Sequence, residues 1–217
     1  MFGLTLLQSV CWLGYLAVIV LVVRRISFHQ FAANKKTQHL VLGASICVFG
    51  LWLFRVGITP GLDVHFLWLT AMTLLLGLRW ALLSGFFTIL VSTLTGYDSW
   101  TMFGVNGLLG ISTPIVVSYL IYNLSFHKLP RHFFIYVFVC AFFAGAAMIA
   151  LKMLLLGGYY FLDGIHDAQT IKDSYLVLIP LLLFSEGMLN GMTMTLRIIY
   201  KPSWVYTFYD KYYLNSK

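Results

Sequence analysis

The chain has 217 residues, of which 60% are hydrophobic and 10% charged, and its formal net charge is +7. A soluble domain of this length has no interior large enough for so much apolar surface, so a polytopic membrane protein is expected. The mean hydropathy of +0.88 agrees, and the basic residues fall in short clusters between apolar runs, a topology signal that excludes nucleic acid as a partner.

A spanning helix needs about 20 mostly apolar residues. The first is expected from about Leu4 to Val23. It has no basic stretch before it, so it reads as a retained helix and not a cleaved signal. Arg24, Arg25, His29, Lys35 and Lys36 then form a basic loop that belongs inside the cell. The second helix, about Gln38 to Val56, leads outward to a turn over Gly57 to Asp63. The third is short, beginning near Val64 and closing at Gly77-Leu78-Arg79; it either tilts or starts as a re-entrant turn around Pro60. Helices four to seven are expected at about Trp80–Gly96, Phe103–Asn123, Phe133–Leu156 and Tyr175–Tyr200.

The architecture is thus all-α, with about seven transmembrane helices, the N-terminus outside and the C-terminus inside. Residues 1–200 form the bundle, and 201–217 form a cytoplasmic tail lying on the inner leaflet. Lysine and arginine support this orientation: only Arg55 and Lys172 fall in outer loops, with Lys152 near the outer end of helix six. Gly104, Gly107 and Gly110 on helix five, Ala146 and Ala150 on helix six, and Gly187 and Gly191 on helix seven are spaced for close helix packing in lipid. Cys11, Cys47 and Cys140 stand singly in apolar runs and suggest neither disulfides nor zinc.

Polar residues are so scarce that each cluster is informative. Asp63 and His65 stand two apart beside a Pro60-Gly61 turn, and Asp98 and Asn106 follow one helical hairpin later. Two crossings return the chain to the same face, so these four should meet near the outer surface. Imidazole and carboxylate are common ligands of divalent first-row metals, which makes His65, Asp63, Asp98 and Asn106 a candidate metal site. The same residues fit a structural role, with Asp63 capping helix three and His65 half exposed. Glu186 is the one acid within an expected span, about halfway through the bilayer, with Asn190 one turn on. A group at that depth must face the bundle interior, either as a substrate-path or coupling residue or as interhelical glue. Hydrogen bonds near Asn190, or to Ser112 or Thr113, are expected for it. No nucleotide-binding or hydrolase motif is present, so the chain is expected to be no enzyme and to need energy from elsewhere.

Pro60-Gly61 with His65, the Gly77 to Ala81 hairpin containing Trp80, Gly96 with Asp98, and Gly104 with Asn106 occur in the order found in a known family. Over about Gly57 to Asn123 the chain resembles the CbiM-like permeases, the substrate-binding S components of energy-coupling factor ABC transporters for cobalt or nickel. The resemblance implies a transporter of the bacterial inner membrane that works with a T component and ATPase subunits, and a divalent transition metal as substrate. It also implies a metal site built on an N-terminal Met-His, where this chain has Met1-Phe2-Gly3. His166 with Asp167 is a further donor pair. The expected function is capture of a transition-metal ion; the alternative is a membrane scaffold or assembly protein whose polar cluster only packs helices.

Overall fold

The computed structural model describes residues 4–57, 59, 61–208 and 213. Pro60 of the expected turn, and all of the tail beyond 208 except Tyr213, lie outside the described residues. Every regular element among those described is helical, and the one β-type pairing is a bridge between Val56 and Val64. Four helices are long and apolar enough to cross a membrane, over Leu6–Arg25, Phe103–Lys128, Phe133–Leu162 and Ala168–Tyr200.

In chain order the elements are α1 (Leu6–Arg25), α2 (Phe28–Ala33), α3 (Lys35–Leu53), α4 (Leu69–Leu76), α5 (Leu78–Leu94), α6 (Phe103–Lys128), α7 (Phe133–Leu162), α8 (Ala168–Ser174) and α9 (Ile179–Tyr200). Helix α1 starts with a capping box: the Thr5 hydroxyl accepts from the Gln8 amide, and the Gln8 side chain accepts from the Thr5 amide. Helix α6 passes through a π-helical stretch from Asn106 to Ser112, and α7 through another from Tyr136 to Phe143. Such widened turns shift the register of the side chains around them.

The third apolar segment departs from the continuous helix expected from Val64. Residues 61–68 are not helical, and α4 has only eight residues. That gives about 12 Å of rise against a hydrocarbon core of about 30 Å. The cause is local. Val56 and Val64 exchange backbone hydrogen bonds at 3.0 and 2.8 Å, which holds the chain extended. Trp68 then takes a left-handed conformation, φ 54°, which stops α4 from winding further back. Irregular backbone at such depth is stable only when protein groups satisfy its amides. All eight α4 residues are buried, enclosed by α3, α5, α6, α7 and α9.

Close helix approach follows the small residues. A side chain at Gly104 or Gly107 would run into Trp12 or Tyr15 of α1, and one at Gly187 would press on the Phe142 carbonyl of α7. Gly110 is different, since its face looks toward the aliphatic stem of Lys152. Large apolar side chains such as Leu13, Leu16, Leu181 and Phe184 remain exposed, as a lipid-facing surface requires.

The two ends of the bundle are unlike. At one, Arg79 donates to the Arg25 carbonyl at 3.2 Å and Lys36 to the Ser203 carbonyl at 2.6 Å. The stretch after α9 docks there: the Tyr206 amide donates to Leu75 O at 3.0 Å, and Thr207 lies 2.6 Å from the Tyr136 hydroxyl. At the other end Arg55, beyond α3, meets Tyr97 and Asp98, beyond α5.

Candidate functional site

A cavity of about 240 Å³ sits at the Arg55 end of the bundle. Asp63, His65, Asp98 and Asn106 all line it, together with Trp52, Arg55, Lys152 and Tyr160. The non-helical segment that precedes α4 contributes one wall, through Gly61, Asp63 and His65. Gly61, at φ +84°, turns the chain where a side chain would be strained, and the Tyr160 hydroxyl fixes it by donating to the Gly61 carbonyl at 2.7 Å. Gly57 packs directly against Asp63, leaving no space for a side chain.

His65 is held on three sides. Its ring lies 4.7 Å from that of Trp52, and its Nδ1 is 3.1 Å from the Phe66 carbonyl. A carbonyl oxygen can only accept, so Nδ1 carries the proton and Nε2 is left with its lone pair. Lys152 fills that position, its Nζ donating to Nε2 at 2.7 Å. The Lys152 charge also faces the Trp52 ring at 5.6 Å, within cation–π range.

Asp98 is equally committed. Ser92 donates to one oxygen, and Arg55 meets the other at 3.4 Å. Arg55 is further fixed by the carbonyls of Trp52 and Tyr97, at 3.1 and 3.2 Å. Asp63 does not cap helix three, since Trp68 occupies that position. Asn106 sits at the start of the π-helical stretch of α6, which aims it at the cavity. Among the described residues no group of three or more His, Cys, Asp and Glu side chains is arranged to hold a metal ion.

Glu186 and Asn190 are not among the cavity's lining residues. Glu186 is 1% exposed, and its carboxyl accepts from the Leu67 amide at 2.9 Å and the Trp68 amide at 2.7 Å. Asn190 donates to Glu186 at 2.8 Å and accepts from the Ala71 amide at 2.7 Å. Together they satisfy the amides at the start of α4, which its own turns cannot. The bonds expected to Ser112 or Thr113 do not form: Thr113 donates to Leu108, and Ser112 Oγ has no partner among the described residues. Trp68 is secured further by its indole, which donates to Thr193 at 2.9 Å.

His166 and Asp167 stay out of the cavity lining. Asp167 caps α8 instead, and the Thr170 hydroxyl and amide hold its carboxyl below the usual range. Two cavity residues, Arg55 and Lys152, were not anticipated as part of the site. The sequence did carry a signal for Lys152, a lone cation inside an apolar run.

No curated protein matches this chain in sequence at a significant level. Two solved structures share its fold. One, described as a truncated transition metal transporter, is 18% identical, with a TM-score of 0.66 over 88% of this chain and 92% of that one. The other, described as a transition metal transporter, is 19% identical, with a TM-score of 0.68 over 92% and 90%. The family model for CbiM, the cobalt uptake substrate-specific transmembrane region, matches residues 5–204. This integral membrane protein therefore belongs to the CbiM family.

Proposed function

We propose that the chain is the membrane-embedded, substrate-binding S component of an energy-coupling factor type transporter, and that it takes a transition metal into the bacterial cell. A T component and ATPases would be separate subunits, since no nucleotide-binding motif lies in this sequence. The observation that carries this reading is the convergence of Asp63, His65, Asp98 and Asn106 on one cavity, from stretches on either side of a helical hairpin. Membership of a cobalt-uptake family supports the class of cargo. In this reading His65 and Asp63 face the cargo, Asn106 offers a neutral contact, and Asp98 anchors Arg55 at the cavity wall. Glu186 and Asn190 contribute indirectly, by fixing the backbone that carries His65.

The test is cobalt accumulation in cells that express the complete transporter, measured by elemental analysis. Asp63→Ala and His65→Ala should each lower uptake by about tenfold or more, the scale of losing one well-placed polar contact. Both variants should remain in the membrane at normal levels and still co-purify with ATPase subunits. Uptake that persists without this chain, or a chain that never associates with an ATPase, would remove it from transport.

A further inference from the structure

The nitrogen of His65 that could take a metal is already engaged. Its Nδ1 proton faces the Phe66 carbonyl, which leaves Nε2 with a single lone pair. Lys152 Nζ donates to that lone pair from 2.7 Å. A divalent ion would bind the same atom at about 2.0–2.1 Å. One lone pair serves either the ammonium proton or the metal, and never both.

The charges around Lys152 point the same way. The side chain is 6% exposed, and its ammonium faces the Trp52 ring at 5.6 Å. Asp98, Glu186 and Asp63 attract that charge from beyond ion-pair contact, while Arg55 repels it. In the lining itself, Arg55 and Lys152 balance Asp63 and Asp98. An arriving divalent ion therefore competes with Lys152 for the imidazole and for the carboxylate field together. Asp63 has no hydrogen bond or ion pair among the described residues, so it is an acceptor to which a displaced ammonium can turn. Gly110 leaves room beside the stem for that movement, since even a methyl group there would stand 3.7 Å from Lys152 Cε.

We propose that Lys152 is an intramolecular competitor of the cargo: it holds His65 Nε2 while the cavity is empty, and the metal ion binds by displacing it. This rests on the reading of the chain as a metal-uptake component. The ammonium keeps its three protons throughout, and a hydrogen bond at Nε2 is exchanged for a metal–nitrogen bond. Lys152 thereby lowers the affinity for a divalent ion. It returns to Nε2 as the ion leaves, so release does not strand a buried ammonium without an acceptor.

Equilibrium dialysis of the purified protein against cobalt(II) chloride tests this. Lys152→Met keeps a stem of similar length without charge or donor. It should bind cobalt about tenfold or more tightly than wild type, the scale of one buried hydrogen bond from a charged group. A lysine that merely props the bundle would leave affinity unchanged or lower when removed. The wild type supplies a second measurement, by nuclear magnetic resonance of protein carrying 15N in lysine and histidine. Zinc(II) chloride should move His65 Nε2 to a metal-bound shift and remove its correlation with the Lys152 ammonium protons. A Lys152→Met protein that fails to fold therefore leaves the decision to the wild type. Persistence of that correlation in zinc-loaded protein would overturn the inference. So would cobalt binding by folded Lys152→Met that is equal to wild type or weaker, while cobalt binding by the wild type leaves metal uptake standing. Binding by neither protein overturns the inference, and cobalt accumulation in cells then decides the uptake function separately.

Discussion

At Glu186 two carboxyl oxygens meet three N–H groups. Leu67 donates to one oxygen, and Trp68 and the Asn190 side chain donate to the other. A glutamine has the same shape but only one acceptor atom, so its NH2 would face either the Leu67 amide or the Trp68 and Asn190 donors. Each buried donor left unpaired costs about 1–3 kcal/mol. Glu186→Gln should therefore lower the melting temperature of the detergent-solubilised protein, and Glu186→Leu should lower it further or prevent accumulation in the membrane. A wild-type melting temperature for Glu186→Gln would mean that the carboxyl does not hold the start of α4. The sequence revealed that Glu186 must face inward, because a carboxyl at that depth has no other option. It did not reveal the partners, which lie 118 and 119 residues away and are backbone amides. Backbone amides belong to every residue, and nothing in the composition singles out these two.

At the scale of elements, the α4–α5 corner turns on a single residue between two helices. Gly77 is its pivot, at φ +76° and ψ 166°, a region that in practice only glycine adopts. A side chain there would also strike the Tyr206 ring, which belongs to the docked stretch after α9. Gly77→Ala should cost about 1–3 kcal/mol in backbone strain alone. It should also loosen residues 202–208, read as faster proteolysis in solubilised membranes. Gly158 provides the control, since a methyl group there meets nothing within 4 Å and the residue is in regular helix. Gly158→Ala should be neutral or mildly stabilising. Equal melting temperatures for the two variants would dismiss the strain at Gly77. The hairpin was legible in the sequence, because Gly77-Leu78-Arg79 interrupts two apolar runs. The broken third segment was not, because Leu67 to Leu76 carries no charge and looks like a helix that could begin at Val64. What breaks it is the pairing with Val56 and the grip of Glu186, both tertiary. The cavity lies between these cases: the hairpin brought Asp63, His65, Asp98 and Asn106 together as expected, while the engagement of His65 by Lys152 depends on how α7 packs.

For the whole molecule the open quantity is direction. The contacts at the two ends suggest how many times the chain crosses: α1, α3, the α4 segment, α5, α6, α7 and α9 each have one terminus near the Arg79–Arg25 contact or the docked stretch and the other near the cavity. Four of these are long enough to cross by length and composition, and we propose that all seven do. Positive charge orients such a bundle toward the cytoplasm. Arg24, Arg25, Lys35, Lys36, Arg79, Lys128, Arg131 and Lys201 fall at the docked end, against Arg55 and Lys172 in the loops at the cavity end. The cavity should therefore open outward, where cargo is scarce and capture is needed. Single cysteines introduced at the exposed positions Ser99 and Lys128, in a background with Cys11, Cys47 and Cys140 replaced by serine, can measure this. A membrane-impermeant maleimide should label Ser99→Cys in intact cells and Lys128→Cys only after permeabilisation. The reverse pattern would turn the cavity toward the cytoplasm, and an uptake component that binds its cargo from outside would no longer be tenable. Labelling of both sites in intact cells would place both ends on one side, and the odd number of crossings between them would have to be abandoned.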